Sequence, residues 1–115
     1  MSKNNTKVIL KPITLNEYQD RAHLTSILTT PRYYPIIGLC GETGEVAELL
    51  KKSIRDGNGF LDEDKLKIEL GDVLWYLAEI CTRYKLNLED VAIANLNKLA
   101  DRKQRNVIHG EGDNR

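Results

Sequence analysis

The sequence has little of the chemistry that most often marks a metal or covalent site. It has two cysteines and two histidines in 115 residues. Cys40 and Cys81 lack metal-type spacing and fall in apolar helical surroundings, which predicts buried, reduced thiols of a cytosolic protein and no disulfide. Net charge is zero, with 17 basic and 17 acidic residues, so there is no general electrostatic case for binding nucleic acid or an anionic membrane. No apolar run approaches the roughly 20 residues of a membrane span. Met1-Ser2-Lys3-Asn4-Asn5 leads into no apolar core of a secretory leader, so a cytoplasmic location is expected. Glycine and proline are few, no repeat or low-complexity run is visible, and no stretch alternates as a strand does.

What is present is helical periodicity with its punctuation. Residues 1–13 read as an extended arm broken by Pro12. Thr14-Leu15-Asn16-Glu17 has the form of a capping box and predicts a first helix to about Leu28. Pro31 disfavours helix in the residue before it, making 29–34 a linker. Pro35 suits the first turn of a second helix, which Asp56-Gly57-Asn58-Gly59 should end. Asp62-Glu63-Asp64 predicts the start of a third helix running to about Lys85. Asn87 caps a fourth that ends near Arg105. The glycine-bearing tail, 107–115, has no pattern of its own; folded back, its Asp113 or Arg115 would reach a bound ligand or a neighbouring subunit. The expected fold is all-α: a four-helix antiparallel bundle over 14–106. Its apolar surface, including Tyr33, Tyr34 and Trp75, exceeds what one small bundle buries, so a homo-oligomer, dimer or tetramer, is expected.

The chain is organised around its acids. Glu42 and Glu45 are three residues apart on the second helix, and Glu69 and Asp72 repeat that spacing on the third. Residues so spaced share a helix face, with Cβ atoms about 5–6 Å apart. All four border apolar stripes, where charge should be scarce. Gly41, Gly44 and Gly71 lie beside them at a helix cost of roughly 1 kcal/mol each, which suggests close approach of a ligand or another backbone. Gathered carboxylates repel unless a cation lies between them. An oxygen-only donor set fits Mg²⁺ that completes its shell with substrate phosphates. Zinc is disfavoured without histidine or cysteine, and a di-iron bundle would need Glu-x-x-His pairs. His23 and His109 are read as incidental, and Glu48 as a bystander.

With their flanks, Gly38-Leu39-x-Gly41-Glu42-x-Gly44-Glu45 and Glu69-Leu70-Gly71-Asp72-Val73-Leu74-Trp75-Tyr76, these acids resemble the metal motif of the all-α nucleoside triphosphate pyrophosphohydrolases. Leu15-Asn16-Glu17-Tyr18-Gln19, Tyr34-Pro35, Asn95-x-x-Lys98-Leu99-x-x-Arg102 and the tail Gly110-Glu111-Gly112-Asp113-Asn114-Arg115 extend the likeness over most of the chain. It is similar above all to small single-domain MazG-like proteins of bacteria and phages. MazG itself has two adjacent glutamates at the first position; here the first is Gly41, so a role attached to that residue does not carry over.

The resemblance implies Mg²⁺-dependent hydrolysis of a nucleoside triphosphate between the α- and β-phosphates, giving monophosphate and pyrophosphate, with Mn²⁺ as a substitute. It implies Glu42, Glu45, Glu69 and Asp72 as metal ligands, Glu45 doubling as the candidate to orient or deprotonate the attacking water. Lys52, Asn95, Lys98 and Arg102 are candidate phosphate contacts, Tyr76 a candidate to pack on the sugar, and Gln19 a candidate to read a base edge, since an amide both donates and accepts. Trp75 points away from the acid face and is assigned to core or interface. The expected substrate is a deoxynucleotide, first dGTP, with dCTP or dUTP as the alternative. The expected role is nucleotide-pool sanitation or remodelling, in the host cytoplasm if phage-encoded. Two other readings stay open: a HisE-type phosphoribosyl-ATP pyrophosphohydrolase, and a non-catalytic helical interaction module.

Overall fold

A computed structural model describes residues 11–27, 29–106, 110 and 112. The arm, apart from 11–13, and most of the tail therefore lie outside the described residues. Among those described, all regular structure is helical: α1 (Leu15–His23), α2 (Tyr34–Gly57), α3 (Glu63–Arg83) and α4 (Leu88–Gln104).

The ends follow the local chemistry. Thr14 and Glu17 form the reciprocal capping box, the Thr14 hydroxyl accepting from the Glu17 N–H at 3.0 Å. Asp62 accepts from the N–H groups of Asp64 and Lys65, and Asn87 from those of Glu89 and Asp90. Asn58, in the left-handed conformation at φ 60°, closes α2.

One boundary departs from expectation. The first helix stops at His23, not near Leu28. Thr25 and Ser26 donate backbone N–H groups to the carbonyls of Ala22 and His23, three residues back, and the Thr25 hydroxyl also bonds Ala22 O. Such local bonds compete with a continuing helix. Beyond them, Arg83 of α3 donates to the carbonyls of Ile27, Thr30 and Pro31, holding the linker open.

The helices pair as α2 on α3, α1 on α3 and α1 on α4. Ala78, Cys81 and Leu88 form a small buried core, with Tyr18 and Leu77 packed on it. The radius of gyration is 17.3 Å, against about 13 Å for a compact chain of this length. The arrangement is an open helical assembly more than a closed bundle. Ile36, Ile37, Leu50 and Ile54 on α2, and Ile68 and Leu70 on α3, are exposed. Cys81 is buried as expected, but Cys40 is exposed; two residues from both Gly38 and Glu42, which meet α3, it falls on the other side of α2.

Candidate functional site

α2 and α3 form a helical hairpin across the 58–62 loop, which brings the two acid pairs towards each other. Glu42, Glu69 and Asp72 each offer an oxygen, and these oxygens all lie within 4.8 Å of one another. Glu45 is outside this group. An i, i+3 pair is offset by about 60° around the axis, so when Glu42 faces α3, Glu45 turns outward and is exposed. Its charge still bears on Glu42: partial burial and the charges of Asp72, Glu69 and Glu45 push the Glu42 carboxyl above its ordinary range. That is the signature of acids crowded without a counter-ion. The donors are all oxygens, at a spacing that fits a hard divalent cation. Glu48, by contrast, pairs with Lys51 one turn on, which lowers its pKa and agrees with a bystander.

Beside the acids is an opening lined by Thr25, Glu42, Asp72, Trp75 and Tyr76. Tyr76 lines this opening, and its hydroxyl is pushed up by burial and by Tyr34, Glu42 and Asp72. Its ring lies so close to Gly38 that a β-carbon there would overlap it. Close approach therefore falls at Gly38, which sequence had not marked for this. At Gly41, Gly44 and Gly71 a β-carbon would meet open space, so among the described residues no other backbone makes the close approach expected there.

Trp75 also departs from expectation. It stands at the opening, edge-on to Tyr76 with ring centroids 5.0 Å apart, and donates from Nε1 to Thr25 Oγ1 at 2.9 Å.

Gln19 is corrected outright. It is 9% exposed, and its amide is spent inside the fold. Nε2 donates to Thr82 Oγ1 and Leu86 O, and Oε1 accepts from the Leu88 N–H at 2.7 Å. It joins α1 to the α3–α4 turn and has no amide hydrogen left to read a base. Asn95, Lys98 and Arg102 lie on α4, whose main partner is α1. Neither these three nor Lys52 line the opening at the acids. Arg102 is buried.

A second polar group was missed. Glu79 is 1% exposed on α3. It accepts from His23 Nδ1 at 2.9 Å, Arg83 Nε at 3.2 Å and the Ser26 hydroxyl. Burial alone would raise its pKa, but these bonds outweigh it and hold the carboxyl below its ordinary range. His23 is therefore not incidental: it hydrogen-bonds a buried acid. A signal did exist. Glu69, Asp72, Tyr76, Glu79 and Arg83 recur at alternating steps of three and four, which aligns them along one face of α3.

The sequence profile of the MazG nucleotide pyrophosphohydrolase domain matches residues 35–107, a span that holds the whole acid cluster. The chain belongs to the MazG family. The chain is also similar to the Gene 37 protein of Mycobacterium phage L5, 47% identical over 85 residues, covering 71% of this chain and 75% of that protein. No solved structure matches it significantly. MazG membership supports nucleotide pyrophosphohydrolase activity in general, and the MazG family is typically metal-dependent. Among the described residues, no helix is long and apolar enough to cross a membrane.

Proposed function

We propose that this MazG-family protein hydrolyses a deoxynucleoside triphosphate between the α- and β-phosphates in a Mg²⁺-dependent reaction, with dGTP the first expected substrate and Mn²⁺ an acceptable substitute. The observation that carries the reading is the convergence of Glu42, Glu69 and Asp72 oxygens within 4.8 Å, inside the region matched by the family. These three would hold the ion, and Mg²⁺ bound there would offset the triphosphate's charge and lower the pKa of a water. Glu45, one turn along α2 and exposed to solvent, is the residue assigned to orient or deprotonate the attacking water. Tyr76 stands at the lip of the acid site, where a nucleotide's sugar would pass. The product is expected to serve nucleotide-pool sanitation or remodelling, and the resemblance to a phage protein is consistent with action in a host cytoplasm.

The acid-bearing helices are also proposed to associate with a second copy. Ile36, Ile37, Leu50 and Ile54 on α2 and Ile68 and Leu70 on α3 are exposed apolar side chains that a second copy would cover. The test is a panel of nucleoside triphosphates scored for monophosphate with Mg²⁺ or Mn²⁺, run on the wild type, Glu45→Gln and Asp72→Asn, with mass measured in solution. The proposal expects loss of activity in both variants and a mass of two or more chains. Wild-type-like turnover in both variants would remove the acids from the reaction.

A further inference from the structure

One turn of α3 beyond Asp72, a cavity of about 180 Å³ lies between α3 and the linker that follows α1. Thr25, Trp75 and Tyr76 line both this cavity and the opening at the acids, so the two spaces adjoin. Tyr34, Trp75 and Tyr76 supply rings to its wall, with Ile27 and Pro35.

Apart from the Tyr34 and Tyr76 hydroxyls, the polar side chains of that wall are already committed to one another or to the linker backbone. Both oxygens of Glu79 are bonded, to His23 on one side and to Ser26 and Arg83 on the other. The Arg83 guanidinium is spent on Glu79, on Ser26, on the Thr30 hydroxyl and on three linker carbonyls. The Thr25 hydroxyl donates to Ala22 O and accepts from Trp75. The network fixes the linker as a wall, and what it leaves for a ligand is mainly ring and aliphatic surface.

We infer that this cavity receives the nucleobase of the substrate and selects it by ring contact and stacking, so that it favours purines over pyrimidines and separates guanine from adenine only weakly. The inference rests on the pyrophosphohydrolase reading for its ligand class. Its physical ground is general: stacking on aromatic rings accepts any base and rewards the larger π-surface, whereas a site that reads a base edge needs open donors and acceptors. Contact pockets discriminate by about 10- to 200-fold, and hydrogen-bonding pockets by about 10⁴ or more. Glu79 and Arg83 act as positioning residues, through the linker they hold.

Trp75 is the single tryptophan of the chain and borders both this cavity and the acid opening, so nucleosides and tripolyphosphate are titrated separately to tell the two apart. The experiment titrates the full-length protein with deoxyguanosine, deoxyadenosine, deoxycytidine and thymidine, and separately with tripolyphosphate and Mg²⁺. Purine nucleosides are expected to change Trp75 emission at lower concentration than pyrimidine ones, with guanine and adenine within about tenfold of each other. Tyr34→Ala is expected to weaken purine binding by roughly five- to 150-fold with helical content retained. A silent Trp75, a preference for pyrimidines, a guanine–adenine ratio near 10⁴, or unchanged affinity in Tyr34→Ala would each overturn the inference. If triphosphates are cleaved while Trp75 stays silent to every base, the cavity assignment falls and the reaction stands. If nucleosides alter Trp75 but no triphosphate is cleaved, the reverse holds.

Discussion

Glu42→Gln should change the protein's stability in opposite directions with and without a divalent cation. Glu42 has two acidic neighbours, Glu69 and Asp72, with oxygens within 4.8 Å. At that distance two unit charges repel by about 0.9 kcal/mol at the dielectric of water. Two such pairs, reduced by physiological salt, leave a penalty of about 1 kcal/mol that a neutral amide of the same shape removes. For a chain of this size that is a rise in Tm of about 4 °C in the presence of a chelator. With Mg²⁺ at 100 times its Kd, the wild type gains about 2.7 kcal/mol, or about 10 °C, and the variant, short of one ligand, gains much less. The order of the two proteins therefore inverts. The pH dependence has a definite sign. Burial and the neighbouring acids raise the Glu42 pKa in the folded state, so the penalty exists above that raised value and disappears as pH falls below it. The variant's advantage in chelator should shrink in the same direction. Thermal melts across pH, with and without Mg²⁺, measure all of this. A variant that melts lower than wild type in chelator, or gains as much from Mg²⁺, would refute the clustered-acid account.

Two further perturbations test the frame around the acids. Glu79→Leu leaves Arg83 and His23 without their buried partner and should cost about 3–5 kcal/mol in denaturant unfolding. Because the folded-state pKa of Glu79 is depressed, its stabilisation is complete above the unfolded value near 4.5 and is lost as pH falls through the lower folded value; acid titration of wild type against variant should show the gap closing there. Gly38→Ala forces the Tyr76 ring aside and should cost about 1–3 kcal/mol, with weaker nucleotide binding as Tyr76 shifts; unchanged stability would mean the ring is free to move.

Much of the helical frame is written locally. Thr14, Asp62, Asn87 and Asn58 each mark a boundary through bonds to residues within a few positions, and a sequence shows such pairs directly. The acid cluster is nearly as legible, because spacing of three puts carboxylates on one face. Which acid of the pair meets the neighbouring helix depends on how α2 is rotated against α3, and that sets Glu45 apart from Glu42. The less legible features arise from contacts between distant residues. Arg83 reaches more than 50 residues back to hold the linker, so an apolar run that looks like the end of a helix becomes a cavity wall. Gln19 spends its amide on Thr82, Leu86 and Leu88, more than 60 residues away. The aligned seam from Glu69 to Arg83 was readable, but its lower half falls where the apolar pattern of α3 is strongest.

The central claim is that the acid cluster supports attack at the α-phosphorus of a nucleoside triphosphate. The direct measurement is the product made from dGTP with Mg²⁺, separated as monophosphate plus pyrophosphate or as diphosphate plus orthophosphate. The account predicts dGMP and pyrophosphate, both absent with chelator and both lost in Asp72→Asn. Orthophosphate as the first product, or turnover that survives chelation, would contradict it.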